Sequence, residues 1–177
     1  MDAADGPGLV SSRSSIGFTM RLEPYLKPEQ VLFLRDTSDR DALLTRLAEV
    51  AAEAMEGFDA ATLAEALRTR EAQMATVTPE GVAFPHAMLP GIKSTVVVAA
   101  RVSPPVSFRN EGSSVQSPEI DLVFAMFGDS GRPWEHVRLL ARLARIARGP
   151  GALERLRAVE DERQLHETLV KEDRSHG

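Results

Sequence analysis

Apolar positions along this chain follow two different periods. Leu43, Leu44, Leu47, Val50, Ala51 and Ala54 recur every three or four residues, which lays them on one stripe of an α-helix. Asp36-Thr37-Ser38-Asp39 stands before that stripe, and Ser38 with Asp41 three residues on predicts a capping-box start. Gly57 marks its end. Asp59 then caps a second helix with Leu63, Ala66, Leu67 and Met74 as its apolar face and Arg70-Glu71 near its end. Between these helices and the next, the period shortens. Residues 82–84, 94–102 and 120–128 are β-rich and apolar on both faces, as central strands are. Val31-Leu32-Phe33-Leu34 reads as a first strand.

Proline and glycine divide the rest. Ser103-Pro104-Pro105 and a polar stretch to Pro118 predict an exposed loop, with a short edge strand at 106–108. After Gly128, either Asp129 or Ser130 can cap a helix that has Pro133 in its first turn. Val137, Leu140, Ala141, Ala144 and Ile146 are its expected buried side, ending at Gly149-Pro150-Gly151. Two shorter helices follow, near 152–159 and 162–170. Helices, then strands, then helices predict a single-domain α/β sandwich, a mixed β-sheet flanked by helices. Residues 22–171 are the expected domain, 1–21 a disordered leader and 172–177 a frayed tail. Strict strand–helix alternation is missing, and neither G-x-x-x-x-G-K nor G-x-G-x-x-G occurs, which disfavours a nucleotide-binding parallel fold.

Composition narrows the function. The 177 residues are 43% hydrophobic but only 5% aromatic, so the core is built of Leu, Val, Ala and Ile. A net charge of −5 gives no electrostatic reason to bind nucleic acid. No apolar run approaches the roughly 20 residues of a membrane helix, and the N-terminus lacks a signal-peptide pattern, so a cytoplasmic protein without membrane insertion is expected. The absence of Cys removes disulfides, thiolate metal sites and thiol nucleophiles together. Four scattered histidines make no metal set, and no cofactor is expected.

His86 is the best candidate for chemistry. It stands behind Pro85, beside the apolar run Val82-Ala83-Phe84, between Gly81 and Pro90. A stiff turn at a strand end can present a ring nitrogen as a nucleophile. On position alone, a hydrogen-bonded structural histidine is the commoner case. Arg138, Arg142, Arg145 and Arg148 recur at helical spacing as a basic stripe, usually a solvated face. His166 reads as a half-exposed helix residue without a role.

Taken together, these residues make the chain resemble the fructose/mannitol-type enzyme IIA family of the bacterial phosphoenolpyruvate-dependent phosphotransferase system, with its nitrogen-regulatory relatives. The matching elements keep the family's order: Arg70-Glu71 at a helix end, a Thr at 76 or 78, Gly81-Val82-Ala83-Phe84-Pro85-His86, a valine-rich strand over 95–102, a strand over 121–127, and His136-Val137-Arg138-Leu139-Leu140 opening a helix. The resemblance spans roughly residues 26–170. Phe84 departs from the usual aliphatic residue, Met74-Ala75 from a small step before the Thr, and the loop at 109–119 looks long.

The resemblance implies that His86 accepts a phosphoryl group from an HPr-like phosphocarrier and passes it to an enzyme IIB for sugar uptake. It implies phosphate-stabilising roles for His136 and Arg70. Phosphoryl transfer suits these residue types, since imidazole is both nucleophile and leaving group and a guanidinium can fork onto phosphate oxygens. Glu71 is read as structural, because like charge repels phosphate, and Trp134 and Glu135 as packing and capping. The alternative is a nitrogen-regulatory protein in which the phosphorylation state of His86 controls binding to regulatory targets. A third reading is a non-phosphorylated interaction domain on the same fold.

Overall fold

A computed structural model describes residues 20–108 and 118–175. The expected leader, apart from Met20 and Arg21, lies outside the described residues, as do most of the loop at 109–119 and His176.

Among the described residues five strands and five α-helices follow in order: β1 (Val31–Leu34), α1 (Arg40–Glu53), α2 (Ala60–Gln73), β2 (Val82–Ala83), β3 (His86–Leu89), β4 (Val96–Ser107), β5 (Glu119–Asp129), α3 (Pro133–Ala147), α4 (Ala152–Arg157) and α5 (Glu162–Ser175). The sheet order is β1-β4-β5-β2, with β3 also pairing with β5. β4 and β5 run antiparallel, while β1, β2 and β3 lie parallel to their neighbours, so the sheet is mixed. Alternation along β4 sends Val96, Val98, Ala100 and Val102 against α1 and α2, and Val97 and Ala99 into the cluster with α3, α4 and α5. The result is the expected α/β sandwich, with a helical layer on each sheet face.

The N-cap of α1 is Asp39, one residue later than Ser38. Its carboxylate accepts from Ala42 N–H at 2.8 Å, and Ser38 donates its hydroxyl to that carboxylate instead of accepting from a helix N–H. Asp59 caps α2 as expected. Residues 103–107 are not loop. β4 continues through Pro104-Pro105 with a register break between Arg101 and Val106, and Val106 then pairs with Ile120. The prolines lack the N–H a ladder needs, so the ladder breaks there and resumes. The expected edge strand is thus the far half of a β4–β5 hairpin.

The α3 stripe is rotated from its predicted phase. Leu139, Leu143 and Ile146 are buried together with Glu135, His136 and Arg142, whereas Val137 is 64% exposed. Buried polar residues defeat a periodicity that counts apolar ones. Arg142 leaves the basic stripe for the same reason: it pairs with Asp173 at 2.5 Å, both side chains buried. That pair also corrects the tail. α5 continues to Ser175, and Asp173 accepts from Leu22 N–H at 2.9 Å, so the C-terminal turn pins the start of the fold instead of fraying.

Candidate active site

The edge of the sheet carries a break. β2 ends at Ala83 and β3 begins at His86, with both segments parallel to β5 and Pro85 C=O bridging the gap to Met126 N–H at 3.0 Å. Before it, Gly81 turns with φ +86°, and a Cβ there would lie 2.9 Å from the Glu119 carbonyl. His86 therefore opens a strand segment, where the sequence suggested that it closed one.

Its ring has a fixed sense. Nδ1 lies 2.8 Å from the Phe84 carbonyl oxygen. A carbonyl only accepts, so Nδ1 carries the proton and Nε2 of the neutral ring keeps its lone pair. Phe84 is itself held, buried against Phe124 with ring centroids 5.7 Å apart.

His136 stands opposite. The two imidazole centroids are 5.0 Å apart, with planes inclined at 56°. His136 is 6% exposed, and neither of its ring nitrogens has a hydrogen-bond partner among the described residues. Burial, then the neighbouring His86, then Arg70 depress its pKa to about 4, so the ring is neutral at pH 7. It sits in the first turn of α3, whose N-cap Arg132 supplies no side-chain cap, so the positive end of the helix dipole faces the same space. Gly128 of β5 lies beneath it. A Cβ at that position would come within 3.2 Å of His136 Nδ1 and 3.6 Å of Thr95 Oγ1. Thr95 in turn donates to buried Glu135 at 2.9 Å, which fastens the first turn of α3 to the sheet.

Arg70 reaches the same space from α2. Its Nη1 donates to Met74 C=O at 3.1 Å, the helix-end role any arginine there can fill, while the side chain also lines a groove of about 660 Å³. Ala66 and Arg70 of α2, His86 and Met88 of β3, and His136 and Val137 of α3 shape that groove. It lies along β3, the edge segment paired with β5, with α2 and α3 supplying its other walls. The structure thus brings together the three residues singled out from sequence: His86, His136 and Arg70.

Other groups were missed. Among the described residues the exposed large hydrophobic side chains are Met74, Met88, Trp134 and Val137. Met88 and Val137 line the groove beside His86. Trp134, expected to pack, is 58% exposed, and Glu135 bonds Thr95 and Tyr25 instead of capping α3. Gly128 was legible in principle, as a glycine inside an apolar strand marks a close approach. Among the described residues no helix is long and apolar enough to cross a membrane.

Residues 24–172 match the sequence family described as "Phosphoenolpyruvate-dependent sugar phosphotransferase system, EIIA 2". The chain belongs to this family. A nitrogen regulatory protein of Bradyrhizobium diazoefficiens is 30% identical over 151 residues, 85% of this chain and 95% of the relative. Among solved structures, the nitrogen regulatory protein IIA-Ntr of Neisseria meningitidis superposes with a TM-score of 0.72 at 21% identity, covering 82% of this chain and 97% of that one. Enzyme IIA of the mannitol system of Escherichia coli, solved with phosphorylated enzyme IIB, gives a TM-score of 0.62 at 18% identity over 80% and 95%. The fold of this enzyme IIA is thus the fold of both branches.

Proposed function

We propose that this enzyme IIA is a phosphohistidine protein of the nitrogen-regulatory branch, in which the phosphorylation state of His86 governs partner binding. One observation carries the chemistry. Nδ1 of His86 is committed to the Phe84 carbonyl, which leaves the Nε2 lone pair for the groove.

In the forward step, Nε2 attacks the phosphorus of a phosphohistidine donor, an HPr-like carrier. The new N–P bond forms as the donor's N–P bond breaks, and the donor nitrogen keeps that electron pair. The Nδ1 proton stays where it is, on the bond to Phe84. In-line placement and positive charge around the equatorial oxygens are what such a transfer requires. Arg70 supplies a charged donor fork. His136 supplies a neutral ring whose nitrogens have no partner among the described residues, so a phosphate oxygen gives its N–H an acceptor at no cost of a broken bond. Onward transfer reverses the electron flow, returning the pair to Nε2.

The regulatory reading is supported by the nitrogen regulatory relatives. A phosphoryl group would place close to two negative charges on the rim of an apolar groove, which changes what fits there. Transfer to an enzyme IIB in sugar uptake is the second reading, supported by the structural neighbour solved with that partner.

Incubation with phosphoenolpyruvate, enzyme I and an HPr-like carrier, followed by intact-mass analysis, tests the chemistry. One acid-labile phosphoryl group on the wild type and none on His86→Ala is expected. An unlabelled wild type beside a phosphorylated carrier refutes it.

A further inference from the structure

Glu71 occupies an unfavourable place. The C-terminal turn of a helix carries partial negative charge, which opposes a carboxylate there. The side chain is also 1% exposed, so it lacks the solvation a charge normally needs. Both of its oxygens are spent on one residue: Thr76 donates its N–H to Oε1 and its hydroxyl to Oε2, each at 2.7 Å.

What Thr76 holds gives this a direction. Its carbonyl accepts from Phe84 N–H at 2.8 Å. The Phe84 carbonyl accepts from Nδ1–H of His86, also at 2.8 Å. A line of hydrogen bonds therefore runs from the end of α2 to the ring at the groove. The preceding residue, Arg70, fastens the same turn at Met74. Adjacent residues of one helix end thus hold both ends of the 74–76 turn, one facing the groove and one facing inward.

We propose that Glu71 is a positioning residue for His86: by holding Thr76 it fixes the Phe84 carbonyl that keeps the ring in its Nδ1–H form with Nε2 toward the groove. The catalytic part of this rests on the phosphoryl-acceptor reading above; the geometric part does not. A loop anchor with no positioning role would change stability when removed and leave the ring's tautomer as it was. The distinction is measurable.

The experiment compares wild type, Glu71→Ala, Glu71→Gln, Thr76→Val and Thr76→Ser as full chains. Long-range ¹H–¹⁵N spectra of the imidazoles report the tautomer of His86. The rate of phosphoryl uptake from phosphoramidate, a donor too small to need a docking surface, reports the chemistry. Glu71→Ala is expected to convert His86 from a single Nδ1–H tautomer to a mixture and to slow uptake at least tenfold. Glu71→Gln keeps an acceptor for the Thr76 N–H and a donor for its hydroxyl oxygen, so it is expected within about twofold of wild type. Thr76→Ser should match wild type, and Thr76→Val should fall between.

An unchanged His86 tautomer in folded Glu71→Ala overturns the proposal. So does a Glu71→Gln defect equal to that of Glu71→Ala, because the carboxylate would then act through its charge. Should Glu71→Ala fail to fold, Thr76→Val decides, since it retains the Thr76 N–H bond and the main-chain bond to Phe84. A wild type that takes up no phosphoryl group removes the carrier reading, and the tautomer comparison still decides the positioning.

Discussion

Replacing His136 with Gln should make the protein less sensitive to mild acid. In the unfolded chain the imidazole takes a proton near 6.5, whereas in the fold burial, then His86, then Arg70 delay this to about 4. Between those values the unfolded state binds more protons, so stability falls as pH falls. The contribution is fully present above 6.5 and is lost as pH drops through about 4. At about 1.4 kcal/mol per pH unit, the whole interval is worth about 3 kcal/mol, of which about 2 kcal/mol should be gone by pH 5. That is a large share of the roughly 5–15 kcal/mol by which domains are stable. Urea unfolding of wild type and His136→Gln at pH 7.5, 6 and 5 measures it. Carboxylates such as Asp39, Asp59 and Asp129 titrate in both proteins and cancel in the difference. The wild type should lose about 2 kcal/mol more than the variant. Parallel losses would mean that His136 titrates as it would in water, and the argument for a neutral ring would fall.

Two other substitutions test the frame around the site. Gly128→Ala puts a methyl about where His136 Nδ1 and Thr95 Oγ1 already crowd, so it should cost about 1–3 kcal/mol in unfolding experiments and slow phosphoryl uptake at His86; an unaltered rate would show that the position of His136 is unimportant. Asp173→Ala removes the carboxylate paired with buried Arg142 and the acceptor of Leu22 N–H, so a loss of about 3–5 kcal/mol is expected, seen as a melting temperature lower by roughly 10 °C; a shift of a degree or two would restore the frayed tail that the sequence suggested.

How far the sequence could be read depended on whether apolar residues carried the signal. The caps at Asp59, the stripe of α1 and the two-faced strands β4 and β5 all follow from side chains that bury for their own hydrophobicity. The errors cluster where charged or polar groups are buried. The phase of α3 was hidden because its inward stripe includes Glu135, His136 and Arg142, each set against a residue distant in sequence. The order of the tail was hidden because Asp173 is buried against Arg142, 31 residues away. The candidate site was legible only as a pattern of residue types. The 5.0 Å between His86 and His136, and the tautomer of the first, come from an edge strand broken at Pro85 and a helix start brought over Gly128, which no local spacing encodes.

The fold makes its two facing histidines unequal, and that inequality is why the proposed function assigns the phosphoryl group to His86. A nucleophile needs a lone pair reachable from outside and a second nitrogen that holds the proton throughout. His86 fits both conditions, with Nδ1–H bound to Phe84 and the Nε2 lone pair on a ring that lines the groove. His136 meets neither: both nitrogens are buried, and no acceptor fixes where its proton sits. Such a ring is a poor acceptor of phosphorus, and under the proposed function it serves as a neutral donor whose N–H has no acceptor among the described residues until a phosphate oxygen supplies one. Were it protonated at pH 7, it would bind phosphate more tightly in the resting phosphorylated state and hold back onward transfer. Burial keeps it neutral, and the carrier role proposed above, which requires release of the phosphoryl group, benefits from that weaker hold.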